Sequence, residues 1–155
     1  MSGNKFHATS SCVSCGFCKE SDNFADVKAN RCTMNIETIR DYCLSLPLAT
    51  EDFPFDETTL VFRVLGKIFA MIDLEHPEWV SLKCSPEYAL ELRDAHTEIE
   101  GAWHMNKKYW NQVNLTGRLD DAFVQGLVRH SYSEVVRKMT RKERTEHEEI
   151  TTVQE

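Results

Sequence analysis

Apolar positions along this chain change period several times between Met34 and Met139, and each change marks an element. Ile36, Ile39, Cys43 and Leu46 recur at helical spacing behind Asn35, a residue suited to capping, and Pro47 stops the run. This predicts a first amphipathic helix. Residues 48–57 read as a loop, with Phe53 and Phe55 flanking Pro54 and expected to pin it to the core. Two β-branched and aromatic runs follow, Thr59–Val64 and Ile68–Leu74. They are separated by Leu65-Gly66-Lys67, and glycine in so short a connection predicts a hairpin. Trp79–Cys84 alternates, with Val80, Leu82 and Cys84 inward and Ser81 and Lys83 outward, as a third strand would.

Ser85-Pro86-Glu87 carries the marks of a helix start, and Tyr88, Leu92 and Ala95 are expected on that helix's inner side. Residues 99–106 show no period. Tyr109–Leu115 reads as a further strand, closed by Thr116-Gly117. A last long helix runs from Asp120 to Met139. Two aspartates suit its positive end, and Phe123, Val124, Leu127, Val128, Ser131, Val135 and Met139 form its buried stripe. The sum is an α+β fold, an antiparallel sheet with helices packed on one face.

Two flanks lack this patterning. Residues 1–33 are rich in Ser, Asn, Lys and Cys and are expected to form a disordered, Cys-containing extension ahead of a domain over 34–140. Residues 141–155 read as a charged flexible tail. Within the extension, Cys12, Cys15 and Cys18 make two overlapping C-x2-C spacings, with Cys32 further on. Four such thiolates suit zinc, so a metal site stands beside the reading of an unstructured leader. An iron–sulfur run is excluded, because Cys18 is followed by Lys19-Glu20-Ser21-Asp22 and not by the fourth Cys and Pro that such a run requires.

Composition narrows the class. The chain has 155 residues, 41% of them hydrophobic, which suffices for one core without staples. No apolar run approaches the length that crosses a bilayer, and the N-terminus has no apolar signal region. A cytoplasmic location is therefore expected, with Cys43 and Cys84 as buried thiols. The net charge is −7, and it is uneven: residues 1–33 hold +1, residues 34–140 hold −6 and residues 141–155 hold −2. This balance argues against tight nonspecific DNA binding while leaving room for a local basic face.

Candidate chemistry concentrates in His104-Met105-Asn106-Lys107-Lys108-Tyr109-Trp110-Asn111. Lys107 and Lys108 supply adjacent charge, Trp110 a stacking face, and Asn106 and Asn111 donors and acceptors, a set suited to phosphates and bases. The opposing expectation is structural: Trp110 packs in the core, while His104 and Asn111 bond the irregular backbone of 99–108. No phosphate-binding glycine loop, nucleophile elbow or HExxH motif occurs. Glu51-Asp52 and Asp56-Glu57 read as solvated acids, and His76 as a solvated turn residue. Consecutive helical side chains diverge by about 100°, so His130 and Ser131 form no dyad, and His130 and Tyr132 are expected to bond loops or the sheet edge.

The order of these segments resembles the MmcQ/YjbR family of small bacterial proteins. The resemblance rests on the capped helix 34–47, on Glu51-Asp52-Phe53-Pro54-Phe55, on Gly101–Asn111 and on His130-Ser131-Tyr132. Tyr109 stands where many relatives carry a His. The resemblance implies a frataxin-like (CyaY-like) fold and a double-wing DNA-binding arrangement. Here the wings would be the 60–74 hairpin, with Arg63 and Lys67 near its tip, and the strand region 107–115. On this basis a non-catalytic, monomeric protein is expected, contacting DNA through Arg63, Lys67, His104, Asn106, Lys107, Lys108, Trp110 and Asn111, with no cofactor. The fold is also likened to type III secretion chaperones, which makes a protein-interaction adaptor the alternative. An enzyme using His104 ranks last.

Overall fold

The computed structural model describes residues 34–153. In chain order the elements are α1 (Ile36–Ser45), β1 (Ala49–Asp52), β2 (Thr59–Val64), β3 (Lys67–Asp73), β4 (Trp79–Lys83), α2 (Pro86–Ala95), β5 (Ile99–Gly101), β6 (Trp110–Asn114), α3 (Asp121–Arg137) and α4 (Arg141–Glu146), with a final 3-10 turn at Glu148–Thr151. The strands form one antiparallel sheet in the order β1-β2-β3-β4-β6-β5. The α+β class and the sheet layered with helices are as the pattern predicts.

Alternation decides what each face holds. Leu60 and Phe62 on β2, Ala70 and Ile72 on β3, Val80 and Leu82 on β4, and Val113 on β6 point to the helix-covered face and are almost wholly buried. The register of β2 and β3 shifts between Phe62 and Arg63, so that Phe69 is an extra residue. Phe69 is fully buried and meets the Tyr132 ring edge-on, with centroids 5.5 Å apart. Pairing of β3 with β4 begins only at Ala70 with Leu82. The Phe69 carbonyl and the Lys83 amide beyond it are both satisfied by buried Ser131 of α3, whose Oγ donates to the first and accepts from the second at 2.7 Å. A buried polar residue here answers a gap in the ladder.

The helix termini follow local chemistry. Asn35 Oδ1 accepts from Thr38 N at 2.8 Å and caps α1. Tyr132 lies wholly inside, and its hydroxyl donates to the Pro47 carbonyl at 2.7 Å, tying α3 to the α1–β1 connection as expected for a loop-bonding tyrosine. Leu65 and Gly66, at φ +47° and +78°, form a two-residue hairpin turn whose left-handed backbone glycine adopts at no steric cost.

Five expectations are corrected. Residues 49–52 are an edge strand and not a loop. Their polar side chains hide the signal, because only one ladder and one face are engaged. Phe53 and Phe55 do not pin that segment inward; they are 47% and 66% exposed. Residues 99–101 form the short strand β5, too brief to show a period. On α2, Ala89 replaces Ala95 on the inner face, since the true stripe passes through Tyr88, Ala89 and Leu92. Finally, 141–153 is folded. Thr140 and Glu143 build a reciprocal capping box, and Ile150 is buried against the core. Cys43 and Cys84 are buried free thiols, and burial pushes both up to about 12.

Candidate functional site

The strand register sorts charge to the two ends of the sheet. At one end lie the β2–β3 turn, the last residue of β4 and the first of β6, and with them Arg63, Lys67, Lys83, Lys107 and Lys108. At the other end β1 finishes on Asp52, Asp56 and Glu57 precede β2, β3 finishes on Asp73, and Glu75 and Glu78 occupy the β3–β4 connection. Neither 52–58 nor 73–79 contains a Lys or Arg.

The basic end is built around an aromatic pair. The ammonium groups of Lys108 and Lys138 sit 5.5 and 5.2 Å from the Tyr109 ring centroid, and that of Lys83 sits 5.5 Å from the Trp110 ring. Such contacts place cations over aromatic faces. Burial first, and then the charge of Lys138, hold the Lys83 ammonium below its usual range, with Glu134 pulling the other way. Glu134 is 4% exposed and pairs with Arg137 and with Lys138 at 3.9 Å, so several cations share one acid. Lys83, Arg137 and Lys138 were invisible as a group in the sequence, because they come from β4 and the end of α3.

The structure separates the predicted contact residues. Lys107 and Lys108 are exposed at the basic end. The Lys107 stem packs closely over Gly101, where a Cβ would stand 3.1 Å from it. Asn106 organises the turn, its Oδ1 accepting from Lys108 N at 3.0 Å and its carbonyl from Tyr109 N and Trp110 N. Lys67 is engaged by Glu143 at 2.8 Å, and Arg63 donates to the Gly66 carbonyl at 3.3 Å. Trp110 is 7% exposed and stands outside the main core cluster, beside Lys83 on the face opposite the helices; buried, it offers no open stacking face. Asn111 is 2% exposed and bonds α2, not the 99–108 backbone. Its Oδ1 accepts from Arg93 Nε at 2.7 Å, and its Nδ2 donates to the Ala89 carbonyl at 3.2 Å. His104 is exposed, its ring set against Trp103 at 6.4 Å, and among the described residues its side chain makes no hydrogen bond to the 99–108 backbone. Cys12, Cys15, Cys18 and Cys32 lie outside the described residues. Among those described, no group of three or more His, Cys, Asp or Glu is placed to hold a metal ion.

Arg93, which the sequence did not single out, holds the whole 102–110 segment. Besides Asn111, its guanidinium donates to the Lys107 carbonyl and, at 3.4 Å, to the Trp110 carbonyl. At the other end of that loop, Gln112 Oε1 accepts from Trp103 N at 3.2 Å.

This pinned loop walls a groove of about 800 Å³ on the sheet face away from the helices. Its floor is the cross-strand row Met71, Ser81 and Gln112, with Trp79 beside it. Trp103, His104 and Met105 form one side; Phe55, Asp56 and Thr58 form the other; Asp73, Glu75 and His76 close the acidic end. Trp103 is 75% exposed, so the open indole of this protein is Trp103. Asp56 Oδ1 accepts from Thr58 N and Thr59 N; the Thr59 hydroxyl first, and then these amides, hold its carboxyl below the usual range against a smaller opposing effect of burial. Asp73 Oδ1 accepts from Glu75 N at 2.9 Å. The His76 amide donates to the Asp73 carbonyl at 3.0 Å and its Nδ1 lies 3.8 Å from Glu78 Oε1; among the described residues no side-chain hydrogen bond joins either imidazole, His76 or His104, to the carboxylates of Asp56, Asp73 or Glu75.

The sequence profile of the YjbR family matches residues 44–134, the stretch that spans the sheet, α2 and most of α3. The chain belongs to the YjbR family. Escherichia coli K12 YjbR is 36% identical over 104 residues, which cover 66% of this chain and 88% of that protein. YbdF of Escherichia coli O157:H7 is 31% identical over 101 residues, covering 64% and 83%. The crystal structure of DR2400 from Deinococcus radiodurans superposes with a TM-score of 0.68 at 40% identity, covering 74% of this chain and 88% of that one. A Pseudomonas syringae protein superposes with a TM-score of 0.56 at 27% identity, covering 63% and 96%. The YjbR-family match includes the groove and, at the basic end, Lys83, Lys107, Lys108, Tyr109 and Trp110; Arg137 and Lys138 lie beyond it. No helix among the described residues is long and apolar enough to cross a membrane.

Proposed function

We propose that this YjbR-family protein is a non-catalytic domain that binds nucleic acid through the basic end of its sheet. The observation that carries the reading is the gathering of Lys83, Lys108 and Lys138 around Tyr109 and Trp110, with Lys107 and Arg137 adjacent and one buried acid between them. Cations at that spacing neutralise phosphates, and an acidic remainder elsewhere orients the molecule with this end toward a polyanion. Arg63 and Lys67 are secondary here, since Glu143 already engages Lys67. Trp110 acts as the support under Lys83 and not as a platform.

The non-catalytic part of the reading is supported by the groove's imidazoles: among the described residues His104 meets no carboxylate, and His76 meets only the half-buried Glu78, at 3.8 Å. The test is duplex binding by fluorescence anisotropy across a salt series. Lys108→Ala with Lys138→Ala lowers affinity at least about tenfold and reduces the salt slope by about two, one unit for each phosphate no longer neutralised. Absence of binding at about 50 mM salt, where electrostatic attraction is favoured, rejects the function.

A further inference from the structure

We propose that the open-face groove is a second site, which takes a short basic segment of a partner protein: an Arg or Lys side chain beside an apolar residue. It is a different surface from the basic end, and the inference stands or falls without the nucleic-acid reading.

Three features select that occupant. The first is charge. Asp56, Asp73 and Glu75 line the groove, no Lys or Arg does, and none of the three carboxylates is in an ion pair among the described residues. The bonds that fix Asp56 and Asp73 come from neutral donors, which orient a carboxylate without cancelling its charge. A polyanion is repelled here and a cation is attracted. The second is aromatic surface. Trp103 and Phe55, 75% and 66% exposed, face the space from opposite sides, and a guanidinium stacks on such rings while a carboxylate takes its edge. The third is thioether surface. Met71 on the floor and Met105 on the wall supply adaptable apolar contact for a neighbouring side chain. Exposed aromatics rimmed by polar groups mark protein-binding surfaces, and an open trough accepts a peptide more readily than a small, enclosed ligand.

The wall that carries Trp103 is held in place before any partner arrives. Gln112 accepts from the Trp103 amide, and Arg93 fixes the far end of the loop. Little ordering of this wall then remains to be done on binding, which favours affinity.

The experiment uses the full chain and the peptide N-acetyl-Arg-Leu-Arg-amide, read by the indole N–H resonances of the three tryptophans. The Trp103 and Trp79 signals shift in a saturable way, and that of buried Trp110 stays put. Trp103→Ala, a change at an exposed position, weakens binding about threefold or more. Glu75→Gln weakens it about twofold and flattens its salt dependence. The proposal is overturned if neither groove indole moves up to about 5 mM peptide, the range of the weakest specific binding. It is equally overturned if N-acetyl-Glu-Leu-Glu-amide moves them as much, or if duplex DNA does. Movement with protein concentration alone assigns the groove to the basic end of a second copy and also sinks it.

Discussion

The basic end and the acidic groove sit on one sheet and share one loop, yet they are built in opposite ways. At the basic end, side chains from β4, from the 106–109 turn and from the end of α3 converge on two rings, and Lys83, Lys108, Arg137 and Lys138 lean on an aromatic face or on Glu134. In the groove the charges come from turn residues whose geometry is set by backbone bonds, and the aromatic rings stand open. The first region is assembled by tertiary packing and the second by local turn chemistry. A chain with net charge −7 can therefore present a cationic surface, because the register of the strands separates its charges along the sheet.

The shared loop is the place to break this comparison. Arg93→Ala removes every guanidinium bond to 107–111 and leaves Asn111 Oδ1, on a 2% exposed side chain, without its donor. The expected cost is about 2–4 kcal/mol in denaturant-induced unfolding, and both surfaces lose their ligands together. Arg93→Lys does not restore them, since an ammonium cannot reproduce the fork that meets Asn111 and the Lys107 and Trp110 carbonyls at once. An Arg93→Ala protein that keeps one surface intact would show that the two are independently held.

A core change should do the reverse, lowering stability while sparing both surfaces. Tyr132→Phe deletes the bond to the Pro47 carbonyl and costs about 1 kcal/mol. It also changes the response to alkali. Burial pushes the Tyr132 phenol up to about 12, from 10 in the unfolded chain. A folded-state value that is raised means stability fully present below pH 10 and lost as pH climbs toward 12. Cys43 and Cys84, pushed up to about 12 from 9, begin the same loss near pH 9. Unfolding midpoints measured from pH 8 to 12 should therefore fall in the parent protein, and in Tyr132→Phe only the thiol part of the fall should remain.

How much of this was readable beforehand follows from where each signal resides. α1, the β2–β3 hairpin, β4 and α3 each carry a full period of apolar positions, and each forms where that period predicts. The misses share a cause. β1 is Ala-Thr-Glu-Asp, whose half-exposed edge position leaves no apolar alternation, and β5 is three residues long. The C-terminal segment announces its cap as Thr140-Arg141-Lys142-Glu143, but its charge conceals that Ile150 and Val153 dock it on the core, with Glu143 bound to Lys67. In the polar-aromatic stretch the residue types were legible and their exposures were not. Trp103 and Trp110 look equivalent in sequence, and only the pairing of Trp110 with Lys83 puts one ring under cover and leaves the other open. The convergence of residues 83, 108 and 138 depends on three separate elements meeting, which no local spacing encodes. Arg93 lies one position from the inner stripe of α2, a place where a charged residue ordinarily reads as solvated.

The smallest expected effect gives the finest measure of the basic end. Glu143 serves two partners, accepting from the Thr140 amide and hydroxyl and pairing with Lys67, and the Lys67 bond, followed by the Thr140 bonds, lowers its carboxyl to about 2. Glu143→Gln keeps an acceptor for the capping box and removes only the charge that holds Lys67. Stability at pH 7 should fall slightly. The difference between the two proteins should close as pH drops from about 4.5 to 2, because a lowered carboxylate contributes above its unfolded value and is lost through its folded one. If the basic end is a phosphate-binding surface, releasing Lys67 adds a cation to it, so duplex affinity should rise modestly while the salt slope steepens by up to about one. An unchanged slope would place Lys67 outside the binding surface and confine that surface to Tyr109, Trp110 and the lysines around them.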